Sequence, residues 1–324
     1  MMNMKMVVMK MKILSLFDGI SCGMLALQRA GIPVDEYHAF EIDKYALTVS
    51  KKNFPQIIQH GNVFDGDFTQ FKDFDILMGG SPCTYWSLAK RSRETTVNGE
   101  GFKLFMEYAR ALRESNCRYF LYENNYSIHK NISEEISYQL DVKPIMINSS
   151  LVSAQCRKRY YWTNIPNITQ PKDGKITVSD ILERDFIPIN DYKNKARTIK
   201  AQYSKTSIAN AVKENGFGAT MAAKPIRIGS YGSGSQGQRI YSVHGKSVTL
   251  SANGGGMGAK TGLYKIDLPD GDYVIRKLTP VEAERLQTLP DNYTEGISDT
   301  QRYKCIGNAW TVDVIAHILG GLAV

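Results

Sequence analysis

The chain lacks paired cysteines. Its five, Cys22, Cys83, Cys117, Cys156 and Cys305, are odd in number, and none stands in a CxxC or a His/Cys cluster. This spacing argues against a disulfide framework and against a zinc or other metal site, and it fits a reducing cytoplasm. No uninterrupted apolar run approaches the roughly 18–20 residues of a membrane span, so no membrane association is expected. The start, "MMNMKMVVMKMK", is Met-rich and basic without a signal-like apolar core or a small-residue cleavage site, and reads as a short leader into the strand that follows. Acidic residues are scarce in one place. Between Lys193 and Lys265 twelve Lys and Arg face the single acid Glu214, a local charge of +11 that leaves the rest of a +8 chain at −3. Such concentration is the footprint of a polyanion partner, with a solvated basic face as the alternative.

What is present is βαβ alternation. In the 324 residues, "KILSLFDG", "EYHAFEID", "FDILMGG" and "CRYFLYEN" read as strands, and "SCGMLALQRAG", "KYALTVSKKNF" and "FKLFMEYARALRES" as helices, with Ser21 as a cap and Gly31 as a stop. The pattern predicts an α/β fold with a parallel sheet and ligands gathered at the carboxyl ends of its strands. From about residue 168 to 272 the alternation fades into glycine-rich sequence in which "QRIYSV", "KSVTLSA" and "GLYKIDL" recur, which predicts a small, loop-rich β domain. "TPVEAERLQTL", with Thr279 as cap and Pro280 at its first position, and "TVDVIAHILGGLAV" then predict helices that return to the large domain. The expected division is 1–167 and 273–324 for the large domain and 168–272 for the insert.

Chemistry-bearing residues gather at the predicted strand ends. "FDGISCG", residues 17–23, is a glycine-rich strand-to-helix turn, and Glu41 ends the next strand, where an acid can hold ribose hydroxyls. The turn lacks the GxGxxG spacing of a pyrophosphate binder, which favours S-adenosylmethionine over NAD, an ordinary tight turn being the alternative. Cys83 follows Pro82 in the turn beyond an apolar strand, where a free thiol can act as a nucleophile if the local field favours its thiolate. Glu123 leaves "CRYFLYE" for Asn124, a place where a carboxyl can be desolvated and hold its proton, or serve as a cap or salt-bridge partner.

Taken together, "FDGISCG", "GGSPC", "EN", "QCRKR" (residues 155–159), "RKLTPVEAERLQ" and "GNAWTVDVIAHIL" resemble, in order and spacing, the DNA cytosine-5 methyltransferase family over residues 12–166 and 274–324. "SLFDGI", "PIMINSSLVSA" and "GNAW" lean towards its de novo branch. The resemblance implies a Rossmann-like S-adenosylmethionine-dependent sheet with helices on both faces and an inserted target-recognition domain. It implies that a cytosine of double-stranded DNA is flipped out, that Cys83 adds to C6, and that Glu123, protonated, holds N3 and the exocyclic amine. Arg157 and Arg159 would act near O2 and the adjoining phosphates.

For the cofactor it implies Phe17, Asp18, Gly19, Ile20, Gly23, Glu41, Ile42, Asn62, Val63, Gly80, Pro82, Leu104, Asn308, Ala309 and Trp310. For DNA it implies Ser87, Arg91 and Arg93 on a mobile lid, with Gln155, Arg239 and Thr249. Asn62 stands where the family has Asp, Asn125 where it commonly has Val, and Thr84 where Gln or Asn is frequent. A monomer is expected, with a cognate restriction endonuclease as a further partner. A transfer RNA cytosine methyltransferase and a non-catalytic DNA-binding relative are the competing readings; the basic insert argues against the first and the presence of both Pro-Cys and Glu-Asn against the second.

Overall fold

The structure is a computed structural model and describes residues 10–87, 92–183, 224–231, 234–252, 261–268 and 271–322. Strand β1 (Met11–Leu16) buries Ile13, Leu14, Ser15 and Leu16 in succession. Because side chains alternate between faces, four consecutive buried positions mean that both faces are covered, as in the middle of a parallel sheet. It pairs in parallel with β2 (Val34–Phe40) on one side and β4 (Ile76–Gly79) on the other. Strands β3 (Ile58–Gln59), β5 (Tyr119–Asn125), β6 (Ile145–Asn148) and β7 (Lys158–Thr163) complete a seven-stranded sheet. Its order is β3-β2-β1-β4-β5-β7-β6, with β5 and β7 antiparallel. The strand order reverses at β1 and β4, and the crevice beyond their carboxyl ends is where such sheets place ligands.

Helices α1 (Cys22–Arg29), α2 (Lys44–Asn53), α3 (Glu100–Ser115) and α4 (Lys130–Leu140) follow the apolar spacing of the sequence. Phe102, Phe105, Tyr108 and Ala109 of α3 and Ile132, Ile136 and Leu140 of α4 join Leu14, Leu16, Tyr122 and Trp162 in one core. Asp43 caps α2 by accepting from Tyr45 N at 2.9 Å. Ser21 stands at the N-cap of α1, but its side chain makes no cap bond there: its hydroxyl donates to Asp18 Oδ2 at 2.5 Å.

The chain divides into two compact units. The first holds the described residues up to Ile147, with Lys158–Gln170 and the stretch from Val312 that contains α7 (Val312–Leu319). The second holds Asn148–Arg157 and the described part of Pro171–Thr311. Its sheet comprises β8 (Arg227–Ser230), β9 (Arg239–Ser242), β10 (Leu263–Asp267) and β11 (Tyr273–Arg276) in the order β11-β10-β9-β8. "KSVTLSA" forms no strand, only an isolated bridge between Ser247 and Gln155.

Packing does not follow the boundaries expected at 167 and 272. Helices α5 (Pro280–Leu286) and α6 (Asp299–Asn308) stay with the second unit, because Leu278, Ala283, Leu286, Tyr303 and Ile306 share a core with Tyr241, Val243 and Tyr264. Thr279 and Pro280 do start α5, with Thr279 and Glu282 forming a reciprocal cap. Asp299–Leu322 is long and apolar enough to cross a membrane, but 56% of that window is buried and it breaks between α6 and α7.

Candidate active site

In the first unit, β1 runs into a turn in which Phe17 (φ 56°), Gly19 (φ 60°) and Ser21 (φ 60°) are all left-handed. Two of these are not glycine, so the turn is strained and needs holding. Asp18 holds it: its carboxylate accepts from Ser15 Oγ at 2.6 Å, Ser21 Oγ at 2.5 Å and Tyr37 Oη at 2.7 Å. Burial raises the Asp18 pKa, and the three hydroxyls oppose the shift. The Asp18 side chain, expected at the cofactor, is therefore turned onto hydroxyls of β1, β2 and the turn itself.

Glu41 grips the same turn from the end of β2. Its Oε2 accepts from Gly19 N at 2.8 Å, and its Oε1 from Ile42 N at 2.7 Å and Asp43 N at 2.8 Å. Burial raises its pKa; the three amides pull it down, and the nearby Asp18 adds a small upward push. With Oε1 already accepting two bonds, Oε2 keeps a lone-pair site for an incoming hydroxyl. A Cβ on Gly19 would meet no atom within 4 Å, so the backbone there borders open space. Ile42 is 71% and Phe64 51% exposed, leaving apolar side chains uncovered beyond β2 and β3. Asn62 caps the short turn Val63–Asp65 by accepting from Phe64 N at 3.2 Å. Ile20 and Val63, expected among the cofactor contacts, have buried side chains, and Gly23 lies buried in α1. Phe64, beside Asn62 in "GNVF", was not among the expected contacts, and its exposure makes it a candidate there.

Strand β4 ends at Gly79, where a Cβ would come within 2.7 Å of Leu16 O, closer than real contacts allow. Gly80, Ser81 and Pro82 lead to Cys83, which starts a 3₁₀ turn, Cys83–Tyr85, and is half-buried. Cys83 O accepts from Trp86 N at 3.1 Å and Ser87 N at 3.0 Å. The buried Trp86 donates through Nε1 to Glu94 Oε2 at 3.1 Å, and Glu94 also accepts from Gly101 N in α3 at 3.2 Å. Glu94 thus joins Trp86, near one end of the expected lid, to Gly101 at the start of α3. Arg91 and Lys90 lie outside the described residues. Arg93, expected at DNA, donates to Ser127 O at 2.6 Å.

The neighbouring strand β5 pairs in parallel with β4, Gly79 opposite Tyr122, so Glu123 lies one position past the end of β4, on the side of the Pro-Cys turn, while still paired with Tyr161 of β7. Asn124, fully buried, donates through Nδ2 to Ser81 O at 3.1 Å, while Ser81 Oγ and Tyr122 Oη share a hydrogen bond of 2.7 Å. This network locks the two strand ends together, and neither Asn124 nor Tyr122 was given that role from sequence. Glu123 Oε1 lies 2.8 Å from Arg159 Nε, both side chains nearly buried. Glu123 is thus held in an ion pair, the salt-bridge alternative that its sequence position also allowed. Leu104 is a partly buried residue of α3.

The second unit holds the other candidates. Arg157, expected near the base and its phosphates, is buried and donates from Nη2 to Gly307 O and Ala309 O, each at 3.1 Å. Gln155, expected to touch DNA, is fully buried, and its Oε1 and Nε2 have no hydrogen-bond partner among the described residues. The cause is local: the 148–157 loop is drawn in by bonds from Ser247 N to Ala154 O (2.6 Å) and from Cys156 N to Ser247 O (3.0 Å). Thr249 is exposed and donates to Cys156 O at 2.6 Å; Arg239 is partly buried. At the end of α6, Asn308 is exposed, Ala309 buried and Trp310 partly buried. Among the described residues no group of three or more His, Cys, Asp or Glu could hold a metal ion.

The chain is 30% identical over 337 residues to the type II methyltransferase M.HhaI of Haemophilus parahaemolyticus, covering 95% of this chain and 93% of that protein. It is 28% identical over 344 residues to the type II methyltransferase M1.ScrFI of Lactococcus lactis subsp. cremoris, covering 95% and 77%. The fold is similar to that of the Entamoeba histolytica methyltransferase EhMeth, with a TM-score of 0.66 at 18% identity and 97% and 98% of the two chains covered. It is also similar to the S. pombe Dnmt2 methyltransferase, with a TM-score of 0.65 at 16% identity, covering 96% and 98%. These relatives do not bear out a leaning towards the de novo branch. Residues 11–323 match the C-5 cytosine-specific DNA methylase family, and the chain belongs to it.

Proposed function

We propose that the protein transfers a methyl group to C5 of cytosine in double-stranded DNA, with Cys83 as nucleophile and Glu123 and Arg159 as the groups that hold the base. The observation that carries this is the fastening of the Cys83 turn to the end of β5 through Asn124, Ser81 and Tyr122, which sets a half-buried thiol beside a carboxylate already paired with Arg159. C5 of cytosine is a poor nucleophile. Addition of the Cys83 thiolate to C6 forms the Sγ–C6 bond and moves the ring's π electrons to C5, which can then accept the methyl. Loss of the C5 proton and cleavage of Sγ–C6 restore the ring and the thiolate. A carboxylate held by Arg159 accepts from the exocyclic amine, and contact with N3 requires that it gain a proton as the base enters. Reaching Cys83 requires flipping the cytosine from the duplex, at about a few kcal/mol.

S-adenosylmethionine, when bound, supplies the electrophilic methyl group. The residues around the 17–23 turn fit it: open space borders Gly19, Glu41 Oε2 keeps an acceptor site for a ribose hydroxyl, and Ile42 and Phe64 expose apolar side chains suited to an adenine face. The basic segment would bind and read DNA, with residues 168–272 as its recognition domain. We infer a monomer acting in the cytoplasm, with a cognate restriction endonuclease as a further partner. Incubation with methyl-labelled cofactor and either duplex DNA or transfer RNA tests the reading: label is expected at C5 of cytosine in DNA, and label in transfer RNA alone would replace the DNA substrate.

A further inference from the structure

Lys246 belongs by sequence to the basic segment, yet it is 1% exposed. Its Nζ donates to Ser150 O at 2.7 Å, Ser153 O at 2.9 Å and Ile176 O at 2.5 Å. Three ammonium hydrogens meet three backbone carbonyls, which is the condition for burying such a charge at all. The residues after it continue the grip. Ser247 bonds through its amide to Ala154 O and through its carbonyl to Cys156 N, and Thr249 Oγ1 donates to Cys156 O. The far side of the same loop is fastened as well: Asn148 Oδ1 accepts from Ser150 N and Arg157 N, Ser149 and Thr311 hydroxyls lie 2.9 Å apart, and Arg157 holds Gly307 O and Ala309 O. A buried apolar side chain would fill the volume without the cost of desolvating an ammonium. What the ammonium adds is a fixed geometry for three carbonyls drawn from two separate stretches of chain.

We propose that Lys246 is a positioning residue that makes the DNA-reading segment and the loop carrying Gln155 and Arg157 move as one body, so that a correctly read site is converted into correct placement of that loop. The inference rests on the DNA methyltransferase reading above. Discrimination between target and non-target cytosines is then expressed in kcat and not in DNA affinity alone. Burial lowers the Lys246 pKa, while Asp173, Cys156 and Asp180 around it act in the opposite direction. As pH rises through that lowered value the ammonium is lost, and the clamp should loosen.

The test uses the full chain with Lys246→Met. S-adenosylmethionine affinity by calorimetry and duplex affinity at fixed salt are expected within about threefold of the parent, whereas kcat on the target duplex falls by roughly 10- to 100-fold. The alkaline fall in the parent's kcat should be missing from the variant, and its preference for the target site should shrink. A folded variant with parental kcat and preference overturns the proposal, as does a loss confined to thermal midpoint or cofactor affinity with the pH profile unchanged. If Lys246→Met does not fold, hydrogen exchange on the parent decides. Corrected for intrinsic rates, protection of residues 148–157 should drop at alkaline pH while that of β1 and β4 holds; an unchanged or uniform response overturns the clamp. A parent that shows this local response but methylates no DNA overturns the activity reading instead.

Discussion

Cys83, Glu41 and Asp18 illustrate three degrees to which a residue's role can be read in advance. Cys83→Ala removes the only group proposed to add to C6 and leaves the basic surface intact. Methyl transfer should fall by on the order of 10³-fold or more with DNA and cofactor binding retained. Duplex containing 5-fluorocytosine at the target should trap the parent covalently, because fluorine does not leave as a proton does; normal turnover by the alanine variant would sink the mechanism. Glu41→Ala removes both the acceptor for ribose hydroxyls and the anchor of Gly19 N, and calorimetry should show S-adenosylmethionine binding weaker by about 1.5–3 kcal/mol. Asp18 is different, since its carboxylate serves the turn. Burial lifts it above its ordinary 3.8. Between that value and the raised one the folded chain holds the proton more tightly than the unfolded chain. Its ionisation therefore subtracts from stability as pH rises through the window, and the penalty disappears below it. Thermal midpoints of Asp18→Asn, followed between about pH 4 and pH 7, should vary less with pH than those of the parent; parallel curves would remove Asp18 from that account.

Helix α5 shows how an element is read correctly and assigned to the wrong partner. Thr279, Pro280 and Glu282 announce its start in the sequence, and the reciprocal cap is there. Its neighbours were not legible, because the same apolar face could pack on either unit, and Tyr303, Tyr241 and Tyr264 settle the choice. The element also carries a buried ion pair, Arg276 to Glu282 at 2.7 and 2.8 Å, while Glu282 accepts from Thr279 N and Glu183 N. Glu282→Ala leaves the buried Arg276 guanidinium without its carboxylate and the Thr279 and Glu183 amides without that acceptor, so chemical denaturation should show a loss of about 3–5 kcal/mol for the second unit. Thr279→Ala should cost only about 1 kcal/mol, the value of one cap. Equal losses in the two variants would mean that the ion pair contributes no more than the cap.

For the whole molecule, the prediction is a separation of reading from chemistry. Replacing residues 168–272 with the corresponding segment of a relative that methylates another site should move the methylated position and leave cofactor affinity nearly unchanged, and duplex binding should weaken steeply with salt. A folded, active chimera that kept the original site would place recognition in the core or its lid. The alternation of strand and helix, the glycine turn, and the thiol and carboxylate at strand ends were all legible in the chain, because local spacing and backbone preference specify them. Tertiary structure decided where the long polar side chains go. Arg157 caps carbonyls, Gln155 is enclosed, Asp18 turns inward and Lys246 leaves the basic surface for a buried clamp. The reason is that a charged or amide group is placed by whichever partners can satisfy it once buried, and those partners, Gly307 for Arg157 or Ser150 for Lys246, lie far away in sequence and come within reach only when the chain has folded.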